Sequence, residues 1–326
     1  MERIKHLYII GNGFDNHHYR KTSYADFYKW ANENHKDVIV EIEEKVGSLD
    51  AEWWCNFENN LANIDAYEIS QTIASDNVPD LLDDHVDRQW NDAQIYTEQL
   101  FESVYNDIKT IFEEWVQNGI KPTNLNRLIS LDKEESFFLT FNYTDTLEKS
   151  YHVPSSQILH IHGSIYDKEF IIGHGKTLEE ITMENEYHDS SSVNKVPIED
   201  DEDIYEYEER GLEFHEQLAL DAAISGIASQ RKPVLDIIKK YKDRFNSFNE
   251  VADIHIYGFS FSDIDLPYLD KIVEVVDICN TSWEVSDYKG ENKDAIVKFM
   301  TKHSISNYTI ISLEEKIPGS RQLELF

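Results

Sequence analysis

The chain has 326 residues, 63 of them acidic and 30 basic, and the resulting formal charge of −33 disfavours broad, non-specific binding to nucleic-acid backbones. A hydrophobic content of 40% with 12% aromatic residues suits a globular fold, and no stretch approaches the roughly 20 apolar residues that cross a bilayer, so no membrane partner is expected. Two cysteines, Cys55 and Cys279, can build neither a disulfide framework nor a four-cysteine zinc ribbon, and both are expected to be buried thiols.

Met1–His6 is charged and leads straight into a β-type run, which is not the layout of a signal peptide and implies a cytoplasmic location. His6–Ile10 (HLYII) reads as a buried strand that ends in Gly-Asn-Gly. Asp26–Val46 and Trp53–Ala74 have helical spacing, and in Asp87–Val116 the residues Trp90, Ile95, Leu100, Tyr105, Ile108 and Phe112 recur at three- to five-residue steps. Strand-like runs return at Ser136–Phe141, Ile158–Ile161, Asp253–Tyr257 and Thr309–Leu313, with weaker ones at Phe170–Ile172 and Ser282–Val285. Between them Phe214–Ser229 and Val234–Phe245 read as helices, the second starting just after Pro233. This alternation predicts an α/β fold with a mainly parallel sheet covered on both faces.

The first two strands stand about 125 residues apart, far more than one crossover helix needs. The expected organisation is therefore a core of residues 1–30 and 131–326, with a large helical insertion at 31–130. Inside that core, Leu178–Glu216 holds fifteen Asp or Glu against only Lys195 and Arg210. It reads as an acidic mobile loop over 178–216, centred on Ser190–Ser192 and Glu199–Asp203, or as a lid or regulatory docking segment.

Four strand ends carry polar residues. Gly11-Asn12-Gly13-Phe14-Asp15 has the setting of a phosphate turn, with a helix cap signal following at Thr22–Asp26; two glycines allow close approach to a diphosphate, and Asn12 and Asp15 can hydrogen-bond ribose or a leaving group. The same pair is also an ordinary turn at a strand end. Asn142, at the end of Leu139–Phe141, is either a turn residue or a cleft residue holding water or a ribose hydroxyl. His160 and His162 are read on one face of a strand, His162 as a general base, a core histidine or, with His160, a metal ligand. Gly258 at the end of the fourth strand permits close approach by a nucleotide whose ribose hydroxyls Ser260, Ser262 or Asp265 can hold; alternatively Asp263 or Ser262 caps a helix over Leu266–Val276.

The strings IIGNGFD, KTSYADF, WWCNFENNL, FLTFNYTDTLE, HIHGS and YGFSFSDIDLPY, in this order over nearly the whole chain, resemble the bacteriophage abortive-infection AbiH family. The series strand-Gly-x-Gly, Asn-Tyr, His-Gly and Gly-x-Ser-x-x-Asp-x-Asp is also similar to the wider sirtuin-like group of NAD enzymes in anti-phage defence. That resemblance implies a Rossmann-like, sirtuin-like core in which Asn142 positions water and ribose and His162 is the base. It puts Gly11, Gly13 and Asp15 on the phosphate and nicotinamide side and Ser260 and Asp265 on the adenosine side, and brings Glu58 of the insertion forward as a further cleft candidate. The zinc cysteines of protein-deacetylating sirtuins are missing and the first loop differs from their Gly-Ala-Gly, so deacetylation is not expected.

The function implied is an anti-phage effector that hydrolyses the nicotinamide–ribose bond of NAD, with NAD as substrate and no metal. A homo-oligomer or a phage-derived trigger would be its partner beside the small nucleotide. Two other readings stay open: a sensor of a nucleotide signal or phage component without turnover, and a metal-dependent hydrolase or nuclease, prompted by 13 histidines.

Overall fold

A computed structural model of the chain describes residues 3–80, 86–167, 170–189 and 203–318. They form two compact units, one of Met1–Phe27, Glu113–Ile171 and Pro233–Phe326, the other of Tyr28–Phe112 and Ile172–Lys232.

The first unit holds a six-stranded sheet: β1 (His6–Ile10), β2 (Ser136–Thr140), β3 (Ile158–His160), β4 (Asp253–Tyr257), β5 (Ser282–Ser286) and β6 (Tyr308–Ile311). All neighbours are parallel and the order is β3-β2-β1-β4-β5-β6. The fold is therefore a Rossmann-like α/β sheet, whose strand order reverses between β1 and β4, where open α/β sheets offer a crevice for ligands. Of the two weaker strand candidates, Ser282–Val285 is a strand and Phe170–Ile172 is not.

Strands β1 and β2 are buried on both faces, while β4 and β5 alternate buried apolar residues with part-exposed polar ones. Leu7, Ile9, Leu139, Ile254, Ile256 and Val285 join Ile237, Phe245, Tyr268, Ile272, Ile296 and Phe299 from four helices, Val234–Lys240, Lys242–Asn246, Leu266–Val275 and Lys293–Lys302. The alternate residues Tyr8, Ile10, Phe138 and Tyr257 face Phe14, Ile129, Leu147, Tyr151 and Leu313. Fully burying a side chain such as Phe138 or Ile256 is worth about 1.5–3 kcal/mol, so this two-sided period-two pattern fixes the register.

That register also sets the site. Ile10 lies beside both Thr140 and Tyr257, and Thr140 beside His160, so β1, β2, β3 and β4 end level. The segments that follow, starting at Gly11, Phe141, Ile161 and Gly258, leave from one rim.

The second unit is helical, with Lys36–Val46, Ala51–Cys55, Phe57–Asn60, Ala66–Asp76 and most of Asp92–Glu114. The helix expected at Asp26–Val46 is split into Tyr24–Asn34 and Lys36–Val46, where the Asn34 amide turns back onto the Trp30 carbonyl at 2.8 Å. The run expected at Trp53–Ala74 is interrupted by turns at Asn56 and Ile64, and Asp50 and Asp65 cap fresh starts on Trp53 N at 2.7 Å and Glu68 N at 2.8 Å. Residues 172–232, read from sequence as part of the core, group with this unit. Much of the expected acidic loop is helical there, in Leu178–Asp189 and Asp203–Ser229. A capping box starts the first of these, with Thr177 and Glu180 bonding each other's backbone N–H at 2.7 and 3.2 Å. Residues 190–202, the centre of that loop, lie outside the described residues.

Both cysteines are exposed, contrary to the buried thiols expected: Cys55 closes a five-residue surface helix and Cys279 sits in the turn between Val275 and β5. Among the described residues no helix is long and apolar enough to cross a membrane.

Candidate functional site

At the strand-order reversal the loops after β1 and β4 touch through their backbones. Gly11 N–H donates to the Tyr257 carbonyl at 2.9 Å and Gly13 N–H to the Gly258 carbonyl at 2.8 Å. A methyl group on Gly11 would lie 2.6 Å from the Gly258 oxygen, one on Gly13 would lie 2.8 Å from the Gly258 α-carbon, and one on Gly258 would overlap the Phe14 amide nitrogen. Gly258 also has φ +66°, a region that side chains disfavour. The three glycines thus make room for one another, and the N–H groups of Gly11 and Gly13 expected on a phosphate are engaged by the β4 loop.

The segment after Gly11 is a short helix, Asn12–His17, where a turn was expected. Asn12 is exposed but committed: its amide donates to the Thr22 carbonyl at 2.8 Å and accepts from the Thr22 hydroxyl at 2.5 Å. Asp15 is fully buried, and its two carboxylate oxygens accept the hydroxyls of Thr144 and Thr146. Burial drives its pKa up, against the two hydroxyl bonds and the positive charge of Arg20. The expected contact of Asp15 with a ribose or leaving group is replaced here by this internal one. Arg20 binds the Thr146 hydroxyl at 3.0 Å and the Asp145 carboxylate at 2.8 Å. Burial works to raise the Asp145 pKa, but Lys149 and Arg20 together hold it below the ordinary value.

Asn142 stands two residues beyond β2 and is 7% exposed. Its Nδ2 donates to the Gly11 carbonyl at 3.1 Å, which settles the amide's orientation because a carbonyl only accepts. The other atom, Oδ1, is buried without a hydrogen-bond partner. An orphaned acceptor of this kind costs about 1–3 kcal/mol unless something donates to it.

The two histidines part company. β3 stops at His160, so the strand period does not carry on to His162. His160 bonds the Asn142 carbonyl at 2.8 Å and Glu148 at 2.9 Å. Burial lowers its pKa, but these two partners outweigh that and the net shift is upward. His162 is 2% exposed and lies edge-on to Phe141 with ring centroids 5.3 Å apart. Its Nε2 is 3.3 Å from the Tyr268 hydroxyl and 3.6 Å from Asp265 Oδ1.

Asp265 is the N-cap residue of Leu266–Val275, yet its side chain makes no capping bond. Its carboxylate lies 3.6 Å from His162 instead, and the cap position falls at Asp265 rather than at the expected Asp263 or Ser262. Ser260 is exposed on a loop that buries its neighbours Phe259 and Phe261. Phe261 has φ +57°, a left-handed conformation that costs of order 1 kcal/mol or more in a bulky residue.

Glu58 belongs to the helical unit, where its carboxylate pairs with buried Lys232 at 3.1 Å and accepts the Gly173 N–H at 3.2 Å. Among the described residues no group of three or more His, Cys, Asp or Glu is arranged to hold a metal ion.

The rim thus offers an imidazole beside a carboxylate and a phenol, and a buried amide with one acceptor to spare. Sequence reading named His162, Asp265 and Asn142; it missed Tyr268, Thr144, Thr146 and Arg20. The polar string Tyr143–Thr146 at a strand end was the available signal for the threonines, whereas nothing around Arg20 marks it as buried.

No curated protein matches the chain. A family model described as bacteriophage abortive infection AbiH matches residues 7–287, from within β1 to just past β5, and takes in every rim residue described above. The match spans most of the sequence and both motif-bearing units, and the chain belongs to the AbiH family of bacteriophage abortive-infection proteins.

Proposed function

We propose that this protein is an anti-phage effector that hydrolyses the nicotinamide–ribose bond of NAD. Family membership supports the part in abortive infection. The substrate class follows from the likeness of the rim segments to sirtuin-like NAD enzymes, and from a Rossmann-like sheet whose strand-order reversal lies among those segments.

The observation that carries the hydrolytic reading is the pairing of two unlike polar groups at the ends of adjacent strands. His162 has Asp265 at 3.6 Å, which favours the imidazolium that forms when the ring takes a proton. Asn142 presents Oδ1 as an acceptor only, the function needed to orient a water or a ribose hydroxyl. In the reaction the bond from ribose C1′ to the nicotinamide nitrogen breaks and its electron pair leaves with neutral nicotinamide. The oxocarbenium-like carbon then takes the oxygen of water, and the proton released passes to His162 and on to solvent. As the base leaves neutral, the positive charge passes to the ribose carbon, and a carboxylate close to that carbon would stabilise it.

The experiment mixes purified full-length protein with NAD and follows nicotinamide. Wild type is expected to turn over at least about 100-fold faster than Asn142→Ala or His162→Ala. Equal rates in all three overturn the proposal, and calorimetric NAD binding without turnover moves the reading to a nucleotide sensor.

A further inference from the structure

We infer that Asp15 is a positioning residue, which holds the turn carrying Asn142 by accepting the hydroxyls of Thr144 and Thr146 and so directs the free Asn142 oxygen toward the ligand. The inference rests on the hydrolytic reading above and gives Asp15 a different task from the ligand contact suggested by its place in the Gly-x-Gly segment.

Every side chain of the turn after β2 is tied. Asn142 is held through Nδ2 on Gly11, Tyr143 donates its hydroxyl to the Ile171 carbonyl at 2.9 Å, and Asp145 is paired with Arg20 and, at 2.7 Å, with Lys149. Thr144 and Thr146 both end on Asp15, and Arg20 closes the set by reaching Thr146 as well as Asp145. The Gly-Asn-Gly-Phe-Asp segment with Arg20 and the Asn-Tyr-Thr-Asp-Thr segment are therefore each other's partners, although some 130 residues separate Asp15 from the threonines.

A carboxyl group in this place is an expensive way to fill space. Asp15 has no exposed surface and both its oxygens are used, so it touches neither solvent nor a ligand in this arrangement. Two threonines and an aspartate could give way to apolar side chains of similar volume with no desolvation cost. What apolar packing would lose is a directional tie, because hydrogen bonds constrain the rotation of a turn about its strand through their preferred angles. Asn142 depends on that rotation, since among the described residues its side chain is otherwise anchored through the Gly11 carbonyl alone.

The test uses the full-length protein as wild type, Asp15→Asn, Asn142→Ala and the double variant, with Thr144→Val as a milder lesion if Asp15→Asn does not fold. Nicotinamide release gives kcat and KM, and hydrogen exchange by mass spectrometry follows the peptide covering 141–150. Asp15→Asn is expected to lower kcat about 100-fold while KM stays within about threefold, and Thr144→Val to lower it about 10-fold. The double variant is expected to be no more than about twofold slower than Asn142→Ala, because both lesions remove one function. Amides of the 141–150 peptide should exchange at least about tenfold faster in Asp15→Asn while those of β4 and β5 keep wild-type rates. Multiplicative rate losses, a raised KM with kcat intact, or unchanged exchange in the peptide each overturn the inference. An inactive wild type defeats the hydrolytic reading alone, and the exchange result then still decides whether Asp15 holds the turn.

Discussion

The ends of β2 and β3 are neighbours built in opposite styles. After β2, beyond Asn142, the polar side chains are held by short bonds: Thr144 and Thr146 on Asp15, Asp145 on Arg20 at 2.8 Å and on Lys149 at 2.7 Å. After β3, His162 meets Tyr268 at 3.3 Å and Asp265 at 3.6 Å. His160, two residues earlier, has the β2 style, with partners at 2.8 and 2.9 Å. Short bonds to several partners mark groups that hold geometry, and the imidazole of His162 beside the Asp265 carboxylate is the group to which the proposed reaction assigns the proton.

The contrast breaks most readily at Arg20. Arg20→Met leaves Asp145 only the exposed Lys149 and leaves buried Asp15 without its nearby cation, so it should cost about 3–5 kcal/mol in denaturant unfolding; a loss below about 1 kcal/mol would mean the β2 network holds little. Gly258→Ala should follow closely at about 3 kcal/mol, from a left-handed backbone and overlap with Phe14 N, read by the same unfolding curves, and a neutral result would refute the close contact of the two loops. Next come the two histidines, which should separate by assay. His162→Asn is expected to lower nicotinamide release about 100-fold with a stability change within about 1.5 kcal/mol, whereas His160→Asn should lower stability more than rate. The opposite outcome would reverse the assignment.

The smallest effect concerns pH. Because the folded chain raises the His160 pKa above its ordinary 6.5, the His160–Glu148 pair stabilises fully below that value, and its contribution is lost as pH climbs through the higher folded value. Glu148→Gln should therefore lower stability by about 1–2 kcal/mol near pH 6 and progressively less toward pH 9. A deficit independent of pH would show that Glu148 acts through packing.

Much of this fold was legible because its strongest signals are local. β1 and β4 have the bounds that apolar runs and flanking turns suggested, and the parallel arrangement followed from helices between strands. The helix Leu178–Asp189 was missed because composition hid a motif: fifteen acidic residues over 178–216 suggested a solvated loop, while Thr177-Leu178-Glu179-Glu180 is a helix-starting capping box. In the site, Asn142 and His162 could be named from their places beside strand ends. The task of Asp15 could not, because the hydroxyls that define it arrive from beyond residue 140. The same holds for Glu58, whose partner Lys232 comes from the far end of the helical unit's second segment.

Placing β1 at the centre of the sheet has a consequence during synthesis. The first strand made gains one neighbour only when β2 has emerged and the other only with β4, more than 240 residues later. Pairings so remote in sequence form late. A nascent chain that has not yet reached Asp265 lacks the carboxylate beside His162 and the second glycine loop against Gly11 and Gly13, so the ribosome itself delays assembly of the rim until residue 265 has been made.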